Sequence, residues 1–138
     1  MANKKLSNNI KLFVYDFDGV MTNNKVYVDQ NGKESVQVNR ADGLAISQFK
    51  KLNYSQIIIS TETNKVVLKR AEKLKISAFV GIDDKSNILK KYCSDKKIKL
   101  NEVCYVGNDT NDLEAMKIAG FSFCPNDSHE RVLESGCT

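Results

Sequence analysis

The sequence predicts an α/β fold, a three-layer α/β/α sandwich built around a parallel sheet. Short β-branched runs alternate with amphipathic stretches along the 138 residues, which is typical of repeated β–α units with right-handed crossovers. The predicted strands are nearly continuous apolar runs, as expected for parallel strands covered on both faces. No repeat, low-complexity run or Pro/Gly-rich linker interrupts the chain. We therefore expect a single domain over residues 1–138.

Predicted strands and helices alternate in chain order. The strands are expected at residues 10–15, 56–59, 78–81, 103–106 and 121–124. The helices are expected at residues 43–52, 63–74, 85–96 and 111–119. In the second of these helices, apolar residues recur at helical spacing and leave the lysines on the opposite face, which is the pattern of a helix packed on a sheet.

One segment, residues 24–39, departs from the β–α alternation. Its residues alternate on either side of Asn31-Gly32, a dipeptide that accepts the positive φ angles of a type I′ turn, so the segment predicts a β-hairpin. The hairpin follows the first strand directly. Three roles are open to it: an edge hairpin of the sheet, a flap over a functional site, or a surface for contact between subunits.

Composition and charge argue against several classes of function. The net charge is +4, and no stripe of basic and aromatic residues accompanies it, which disfavours a nucleic-acid partner. The four cysteines form no CxxC motif and have no paired histidine ligands, which disfavours a zinc site or a disulfide framework and favours a reducing compartment. No segment is long and apolar enough to span a bilayer or to act as a signal peptide. We expect a soluble cytoplasmic protein without a membrane partner.

Polar residues follow each of the first four strands of the predicted sheet. In open parallel sheets, ligands bind outside the carboxyl ends of the strands, so these side chains are expected to converge on one crevice. Strand by strand they are Asp16 and Asp18, then Ser60 and Thr61, then Lys85, and then "GNDTND" at residues 107–112.

This combination of side chains suits phosphoryl transfer. A carboxylate can attack phosphorus and form an aspartyl-phosphate, which divides one difficult hydrolysis into two displacements. Because nucleophile and substrate are both anionic, a cation is needed between them, and Mg²⁺ prefers oxygen ligands. A lysine and a hydroxyl can hold the phosphoryl oxygens, and a second acid can move protons. A two-component receiver domain uses similar groups, but its phosphoacceptor follows the third strand, whereas the paired acids here follow the first.

The ordered motifs resemble those of the haloacid dehalogenase (HAD) superfamily of phosphohydrolases. They are "YDFDG", "IIST", "DDKS" and "GNDTND". The resemblance implies a Rossmann-like, HAD-like sandwich in which Asp16 is the nucleophile and Asp18 the general acid/base. It implies phosphate binding by Ser60, Thr61 and Lys85.

The same resemblance implies a Mg²⁺ site after the first and fourth strands. Its ligands would be the Asp16 carboxylate, the Asp18 backbone carbonyl and a side chain of the fourth motif, Asn108 or Asp109. Asp112 would then orient a metal-bound water or Lys85. Many members have Asp-Asp where this chain has Asn108-Asp109. The amide oxygen of Asn108 can still bind the metal, but one negative charge is lost.

The segments "DGVMTNNKVYVDQNGKES", "NRADGLAI" and "CPNDSHERV" narrow the resemblance to a capless branch of the superfamily. That branch includes 3-deoxy-D-manno-octulosonate 8-phosphate phosphatase, the 9-phosphate phosphatases of nine-carbon keto acids, and the phosphatase-like domain of acylneuraminate cytidylyltransferases. The resemblance implies a Mg²⁺-dependent phosphomonoesterase for a phosphorylated 2-keto-3-deoxy sugar acid, serving lipopolysaccharide or sialic acid biosynthesis. It also implies a homotetramer whose hairpins close the site, with Arg40 and Asp42 facing the substrate.

An alternative function is a non-catalytic oligomerisation or partner domain related to the cytidylyltransferase C-terminal domain. Asn108 favours it, as does the absence of the branch's Gly-rich tail after residues 132–138. Without that tail we expect a more open site, or contacts supplied by another chain. Against this alternative, all four motifs keep residues that are competent for phosphatase chemistry.

Overall fold

A computed structural model describes residues 9–137 of the chain, so residues 1–8 and 138 of the predicted domain lie outside the described part. In chain order the strands are β1 (Leu12–Tyr15), β2 (Tyr27–Val28), β3 (Glu34–Ser35), β4 (Ser55–Ile59), β5 (Ser77–Phe79), β6 (Val103–Val106) and β7 (Phe121–Phe123). The α-helices are α1 (Arg40–Lys51), α2 (Val66–Leu74), α3 (Lys85–Lys96), α4 (Leu113–Ile118) and α5 (Glu130–Leu133). The predicted α/β fold class is confirmed.

The main sheet has five strands in the order β5-β4-β1-β6-β7, and every neighbouring pair is parallel. The first strand of the chain therefore lies at the centre. Its last residue, Tyr15, is opposite Ile58 of β4 on one side and Val106 of β6 on the other. After β1, the chain adds β4 and β5 on one side and then crosses back to add β6 and β7 on the other side. This reversal creates a crevice at the carboxyl end of β1.

Two apolar cores cover the two faces of the sheet. Successive strand residues point to opposite faces, so Ile58 belongs to one core while Ile57 and Ile59 belong to the other. Ile46 of α1 and Val67 of α2 pack into the first core. The second core is completed by α3, α4 and α5, whose buried members are Leu89, Cys93, Leu113, Ala115, Met116 and Val132. The three predicted layers are present.

Helix starts differ from the prediction where an asparagine side chain accepts a backbone N–H close to the start of the helix. α1 begins at Arg40 rather than at residue 43, because the Asn39 side chain accepts the backbone N–H of Ala41 at 2.9 Å. α2 begins at Val66 rather than at residue 63, because Asn64 accepts the N–H of Val66 at 3.0 Å.

The other helices and strands differ less from their predicted bounds, although two short elements were not predicted. A 3₁₀ turn at Thr110–Asp112 precedes α4 where one continuous helix was predicted. The short helix α5 and a 3₁₀ turn at Leu100–Glu102 were missed. β6 and α3 have the predicted bounds, and the remaining strands differ by one or two residues at their ends.

The predicted hairpin is present, but it is separate from the main sheet. β2 and β3 pair antiparallel as a two-stranded sheet of their own, and an isolated bridge between Thr22 and Val38 lies at their base. The possibility of an edge hairpin of the main sheet is therefore wrong. The hairpin leaves β1 at the same end as the crevice, so its placement is compatible with a flap.

The turn of the hairpin differs from the predicted type I′ turn. Within the Asn31-Gly32 dipeptide only Gly32 has a positive φ, of 78°. Asp29 donates its N–H to the Lys33 carbonyl at 3.0 Å, and its own carbonyl accepts the N–H of Gly32 at 2.9 Å. This is a three-residue loop that ends in a left-handed glycine. The Asp29 side chain favours it by accepting the N–H groups of Asn31 and Lys33, both at 2.9 Å.

The cysteines correct the expectation drawn from composition. Cys124 and Cys137 form a disulfide, while Cys93 and Cys104 are free and buried. The bonded pair lies 13 residues apart with Cα atoms at 6.1 Å, because α5 folds back between them. The cysteine argument for a reducing compartment therefore loses its basis. Across residues 9–137, no helix has both the length and the apolar character needed to cross a membrane. The cytoplasmic location stays a prediction.

Candidate active site

Asp16 lies at the carboxyl end of β1, in the crevice between β4 and β6. Its backbone N–H donates to the Val106 carbonyl at 2.9 Å, so the strand pairing extends as far as this residue. Its side chain is buried, and Oδ1 accepts the N–H of Phe17 at 2.7 Å and the Lys85 ammonium at 2.9 Å. The predicted nucleophile is therefore held by a backbone donor and by a cation.

The turn after Asp16 holds Asp18 and is organised by a hydroxyl. Thr22 Oγ1 donates to Asp18 Oδ1 at 3.2 Å and accepts the N–H of Gly19 at 3.2 Å. Gly19 has a φ of 85°, and a Cβ at this position would overlap the side-chain amide of Asn108. Only glycine allows this conformation and this close approach. The turn therefore joins the first motif to the fourth.

Lys85 is fully buried between two carboxylates. It is the first residue of α3, whose N-cap is Asp84. Its ammonium donates to Asp16 Oδ1 at 2.9 Å and to Asp112 Oδ1 at 2.8 Å. A buried ammonium needs such partners, because its desolvation is otherwise costly.

Asp112 accepts hydrogen bonds on both carboxylate oxygens. Oδ1 accepts from Lys85 at 2.8 Å and from the Tyr105 hydroxyl at 2.9 Å. Oδ2 accepts the backbone N–H groups of Asn108 at 3.0 Å and Asp109 at 3.2 Å. This one side chain therefore contacts the predicted phosphate-binding lysine and also shapes the loop of the fourth motif.

The two carboxylates that share Lys85 differ in acidity. Burial raises the pKa of Asp16 to about 7, and this effect outweighs the opposing Lys85 ammonium. Burial also favours a higher pKa for Asp112, but the Lys85 ammonium and the hydrogen bonds to its oxygens lower that pKa below the ordinary value. The negative charge of Asp112 also raises the pKa of Asp16. Asp16 therefore gains a proton more readily than Asp112.

The pKa of Asp18 depends chiefly on burial and on one hydrogen bond. Burial raises the pKa of Asp18, while the hydrogen bond from Thr22 acts in the opposite direction. A carboxyl with a raised pKa is suited to donate a proton near neutral pH.

Ser60 and Thr61 lie at the end of β4, on the opposite side of β1 from the fourth motif. Ser60 is buried, and its Oγ accepts the N–H of Glu62 at 3.1 Å. Thr61 is exposed, and its Oγ1 accepts from the Asn111 side chain at 3.4 Å. The loops of the second and fourth motifs therefore meet across the crevice.

Arg40 and Asp42 lie outside the pocket that Asp18 lines. Both residues are in the first turn of α1 and line a surface cavity beside the base of the hairpin. The pocket that includes Asp18 is lined by Lys25, Glu34 and Glu62, among others. Arg40 and Asp42 therefore do not share a cavity with Asp18, and their contact with substrate stays a prediction.

One orphaned oxygen marks a place where a cation fits. Oδ1 of Asn108 is buried and has no hydrogen-bond partner in the described part of the chain, which is unusual for a buried polar atom. No group of three or more His, Cys, Asp or Glu side chains within residues 9–137 is arranged to hold a metal. A metal here would instead combine the Asp16 carboxylate, the Asp18 backbone carbonyl and the Asn108 amide oxygen, an all-oxygen set that suits Mg²⁺.

Asp109 fits this role less well than Asn108. Its Oδ1 accepts the N–H of Thr110 at 2.6 Å and caps the 3₁₀ turn at Thr110–Asp112. The same carboxylate is half-buried, so water reaches it.

Sequence reasoning missed two residues that contact the predicted site. Tyr105 was assigned to the apolar strand, although a buried tyrosine hydroxyl needs a polar partner. Thr22 lies three residues after the first motif, and the sequence analysis gives it no role. The sequence pattern that could have predicted this contact is a hydroxyl four residues after Asp18, which a tight turn brings within reach of the carboxylate.

Known proteins resemble this chain in sequence. N-acylneuraminate cytidylyltransferase A of Danio rerio is 26% identical over 121 residues, which are 86% of this chain and 28% of that protein. The 3-deoxy-D-manno-octulosonate 8-phosphate phosphatase of Salmonella typhi is 31% identical over 130 residues, covering 91% of this chain and 67% of that enzyme. The chain therefore spans less than a third of the length of the first relative and two thirds of the second.

Solved structures agree with these similarities. A protein of Streptomyces avermitilis described as a HAD family hydrolase is 41% identical with a TM-score of 0.89, covering 92% of this chain and 73% of that one. The 3-deoxy-D-manno-octulosonate 8-phosphate phosphatase of Moraxella catarrhalis, in complex with magnesium, phosphate and KDO, is 30% identical with a TM-score of 0.85. The match covers 88% of this chain and 71% of that one. The predicted resemblance is confirmed. Residues 2–136 match the haloacid dehalogenase-like hydrolases as a family, and the chain belongs to that family.

Proposed function

We propose that this chain is a Mg²⁺-dependent phosphomonoesterase that hydrolyses a phosphorylated 2-keto-3-deoxy sugar acid. The observation that carries the proposal is the buried group formed by Asp16, Lys85 and Asp112 at the carboxyl end of β1. Lys85, the proposed phosphate ligand, lies within hydrogen-bond distance of the proposed nucleophile Asp16 and of Asp112, the anion that would orient it. Family membership and the phosphatases among the relatives support the same reaction.

The reaction has two displacements. In the first, the Asp16 carboxylate attacks phosphorus, the ester P–O bond breaks, and Asp18 gives its proton to the leaving oxygen. In the second, Asp18 takes a proton from water, the water oxygen attacks the phosphorus of the aspartyl-phosphate, and inorganic phosphate leaves with Asp16 restored. Lys85 and Ser60 hold the non-bridging phosphoryl oxygens through both steps.

We infer that Mg²⁺ binds Asp16, the Asp18 backbone carbonyl and Asn108. When bound, the ion supplies positive charge between the anionic nucleophile and the anionic substrate. The orphaned Asn108 oxygen supports this site, as do the magnesium and phosphate ions in the Moraxella catarrhalis relative. Without the ion, Lys85 alone offsets the charge of Asp16 and Asp112.

The substrate is expected to be octulosonate 8-phosphate or a nonulosonate (sialic acid) 9-phosphate, in lipopolysaccharide or sialic acid biosynthesis. A cavity of about 240 Å³ lies between the hairpin and the loop after β4, and Asp18 lines one side of it. The polar side chains Lys25, Glu34, Glu62 and Asn64 line it as well, which suits a sugar acid with many hydroxyls. In this proposal the hairpin is the flap over the substrate, and Arg40 and Asp42 contact substrate only when neighbouring subunits of a homotetramer assemble.

A second candidate is a non-catalytic partner domain. The similarity to a cytidylyltransferase and the neutral Asn108 in the fourth motif favour it. Phosphate release separates the two functions.

The test measures phosphate release from octulosonate 8-phosphate and from a nonulosonate 9-phosphate, with Mg²⁺ and with EDTA. We expect Mg²⁺-dependent release from one of them, and a loss of about 10⁴-fold or more in Asp16→Asn. Asp95→Asn, which changes an exposed acid of α3, is the control and should keep full activity. Release from neither substrate, or full activity in Asp16→Asn, would overturn the proposal.

A further inference from the structure

Tyr105 carries a hydroxyl into the centre of an apolar core. Its side chain is fully buried on β6, among residues such as Leu89, Val103 and Leu113. Phenylalanine would fill nearly the same volume without bringing a polar atom into the core, so packing alone gives no reason for the hydroxyl. Among residues 9–137 the hydroxyl has one partner, Asp112 Oδ1 at 2.9 Å.

That partner is the carboxylate on which the site depends. Asp112 Oδ1 is shared by the Tyr105 hydroxyl and the Lys85 ammonium, while Oδ2 accepts the N–H groups of Asn108 and Asp109. Each oxygen thus has two donors, which fixes the rotation of the carboxylate. Removing the hydroxyl leaves Lys85 as the single side-chain donor to Oδ1.

Lys85 has the longest flexible side chain of this group. Its four-carbon side chain has several rotatable bonds, and its ammonium is held between Asp112 at 2.8 Å and Asp16 at 2.9 Å. Two donors on one oxygen compete for its charge. Without the Tyr105 hydroxyl, Asp112 attracts the ammonium more strongly, and the ammonium moves away from the Asp16 side of the site where a phosphoryl group would lie.

We propose that Tyr105 is a positioning residue that acts through Asp112 to hold the Lys85 ammonium where it contacts phosphate. The inference rests on the proposed function for the role of Lys85 as phosphate ligand. It adds a residue of the strand core to the machinery of the site, although Tyr105 itself does not touch the substrate.

Tyr105→Phe tests the proposal, and Tyr15→Phe is its matched control. Tyr15 is also a largely buried strand tyrosine, but its hydroxyl donates to Gln56 Oε1 at 2.8 Å, away from the Lys85 group. With p-nitrophenyl phosphate and Mg²⁺, we expect kcat/KM of Tyr105→Phe to fall about tenfold, because weaker phosphate binding and a displaced catalytic group both lower it. Tyr15→Phe should stay within twofold of the wild type.

A binding measurement separates positioning from loss of structure. Calorimetry with inorganic phosphate and Mg²⁺ should show about fivefold weaker binding in Tyr105→Phe, and no further weakening when Tyr105→Phe is added to Lys85→Met. If Lys85→Met does not fold, the ¹⁵N NMR signal of the Lys85 ammonium replaces it and should shift in Tyr105→Phe but not in Tyr15→Phe.

The outcomes distinguish this inference from the proposed function. The role of Tyr105 would be overturned if Tyr105→Phe weakened phosphate binding equally in the wild type and in Lys85→Met. It would also be overturned if the Lys85 ammonium signal did not shift in Tyr105→Phe. A wild type that binds phosphate but hydrolyses no sugar-acid phosphate would overturn the proposed function while leaving the coupling of Tyr105 to Lys85 measurable. A wild type that binds no phosphate would overturn both.

Discussion

At the residue scale, the main feature is one buried cation shared by two carboxylates that differ in environment. Asp112 accepts four hydrogen bonds, whereas Oδ1 of Asp16 accepts from Lys85 and the Phe17 N–H. With fewer donors to offset its burial, the ionised form of Asp16 is destabilised more than that of Asp112. Such an arrangement costs stability when Asp16 is ionised, and in the proposed function it leaves Asp16 available to bind a divalent ion.

Asp16→Asn should raise the melting temperature of the metal-free protein at pH 8. The folded-state pKa of Asp16 is raised from 3.8 to about 7, so its contribution to stability is greatest below pH 3.8 and is lost as the pH rises towards 7. Above pH 7 the wild type contains a buried, ionised Asp16 that the variant lacks. We expect a gain on the order of 5 °C at pH 8 in EDTA, and a smaller gain at pH 5.

Thermal denaturation followed by circular dichroism measures this difference. Asp95→Asn serves again as the control, and its melting temperature should differ from that of the wild type by the same amount at both pH values. A gain for Asp16→Asn that is equal at pH 5 and pH 8 would contradict the raised pKa.

Asn108→Asp should tighten Mg²⁺ binding. The orphaned Oδ1 of Asn108 is the oxygen best placed for a cation, and a carboxylate there adds one negative charge to the ligand set. We expect the Kd for Mg²⁺ to fall about tenfold, or about 1.4 kcal/mol, in calorimetry on the metal-free protein. Asp109→Asn should change it less than threefold, because Asp109 caps a turn. The reverse result would assign the metal to Asp109.

At the element scale, the last helix, α5, packs into the core, and the residue before it contacts the loop of the fourth motif. Val132 of α5 is fully buried in the core, and the N–H of His129 donates to the Asn108 carbonyl at 2.9 Å. The disulfide between Cys124 and Cys137 closes the loop that contains both contacts. This loop holds the Asn108 carbonyl, while Asp112 holds the Asn108 N–H.

Cys137→Ser should lower thermal stability. A disulfide that closes a loop of about this length stabilises the folded state by about 3 kcal/mol, chiefly by restricting the unfolded chain, so we expect the melting temperature to fall by about 10 °C. Adding a reductant to the wild type should reproduce the loss, and the same reductant should leave the melting temperature of Cys137→Ser unchanged. A wild type indifferent to reductant would contradict a stabilising disulfide.

Element boundaries also show the limits of sequence patterns. The predicted start of α1, at residue 43, is three residues late, because the cap formed by Asn39 lies before the hydrophobic periodicity begins. The Asn31-Gly32 dipeptide predicted the hairpin correctly. Its turn type depended on Asp29, whose side chain accepts two backbone N–H groups of the loop.

At the scale of the whole molecule, strand order decides which residues meet. Lys85 and Asp16 are 69 residues apart in sequence, yet they are in contact because β1 lies at the centre of the sheet with α3 packed over it. The hairpin extends from the same end and exposes the apolar residues Val26, Tyr27 and Val28. An exposed apolar cluster of this kind is a typical subunit contact.

Tyr27→Lys should disrupt the proposed homotetramer. Tyr27 is 72% exposed at the centre of that cluster, and a charge placed there disfavours its burial between subunits. We expect light scattering after size-exclusion chromatography to show a tetrameric wild type and a smaller species for Tyr27→Lys. Leu52→Lys, at the other end of the molecule from the crevice and 64% exposed, should stay tetrameric. A monomeric wild type would contradict this assembly.

The sequence by itself determined the fold class and the approximate position of each strand of the main sheet. Strand periodicity and the ordered acids, hydroxyls and lysine are local in the chain, so Asp16, Asp18, Ser60, Lys85 and Asn108 could be named as candidates. Only the tertiary structure decided that Tyr105 donates to Asp112, that Asn108 Oδ1 has no partner among residues 9–137, and that Cys124 meets Cys137. The physical reason is that hydrogen bonds, burial and desolvation depend on which distant segments pack together, and a linear pattern does not contain that information.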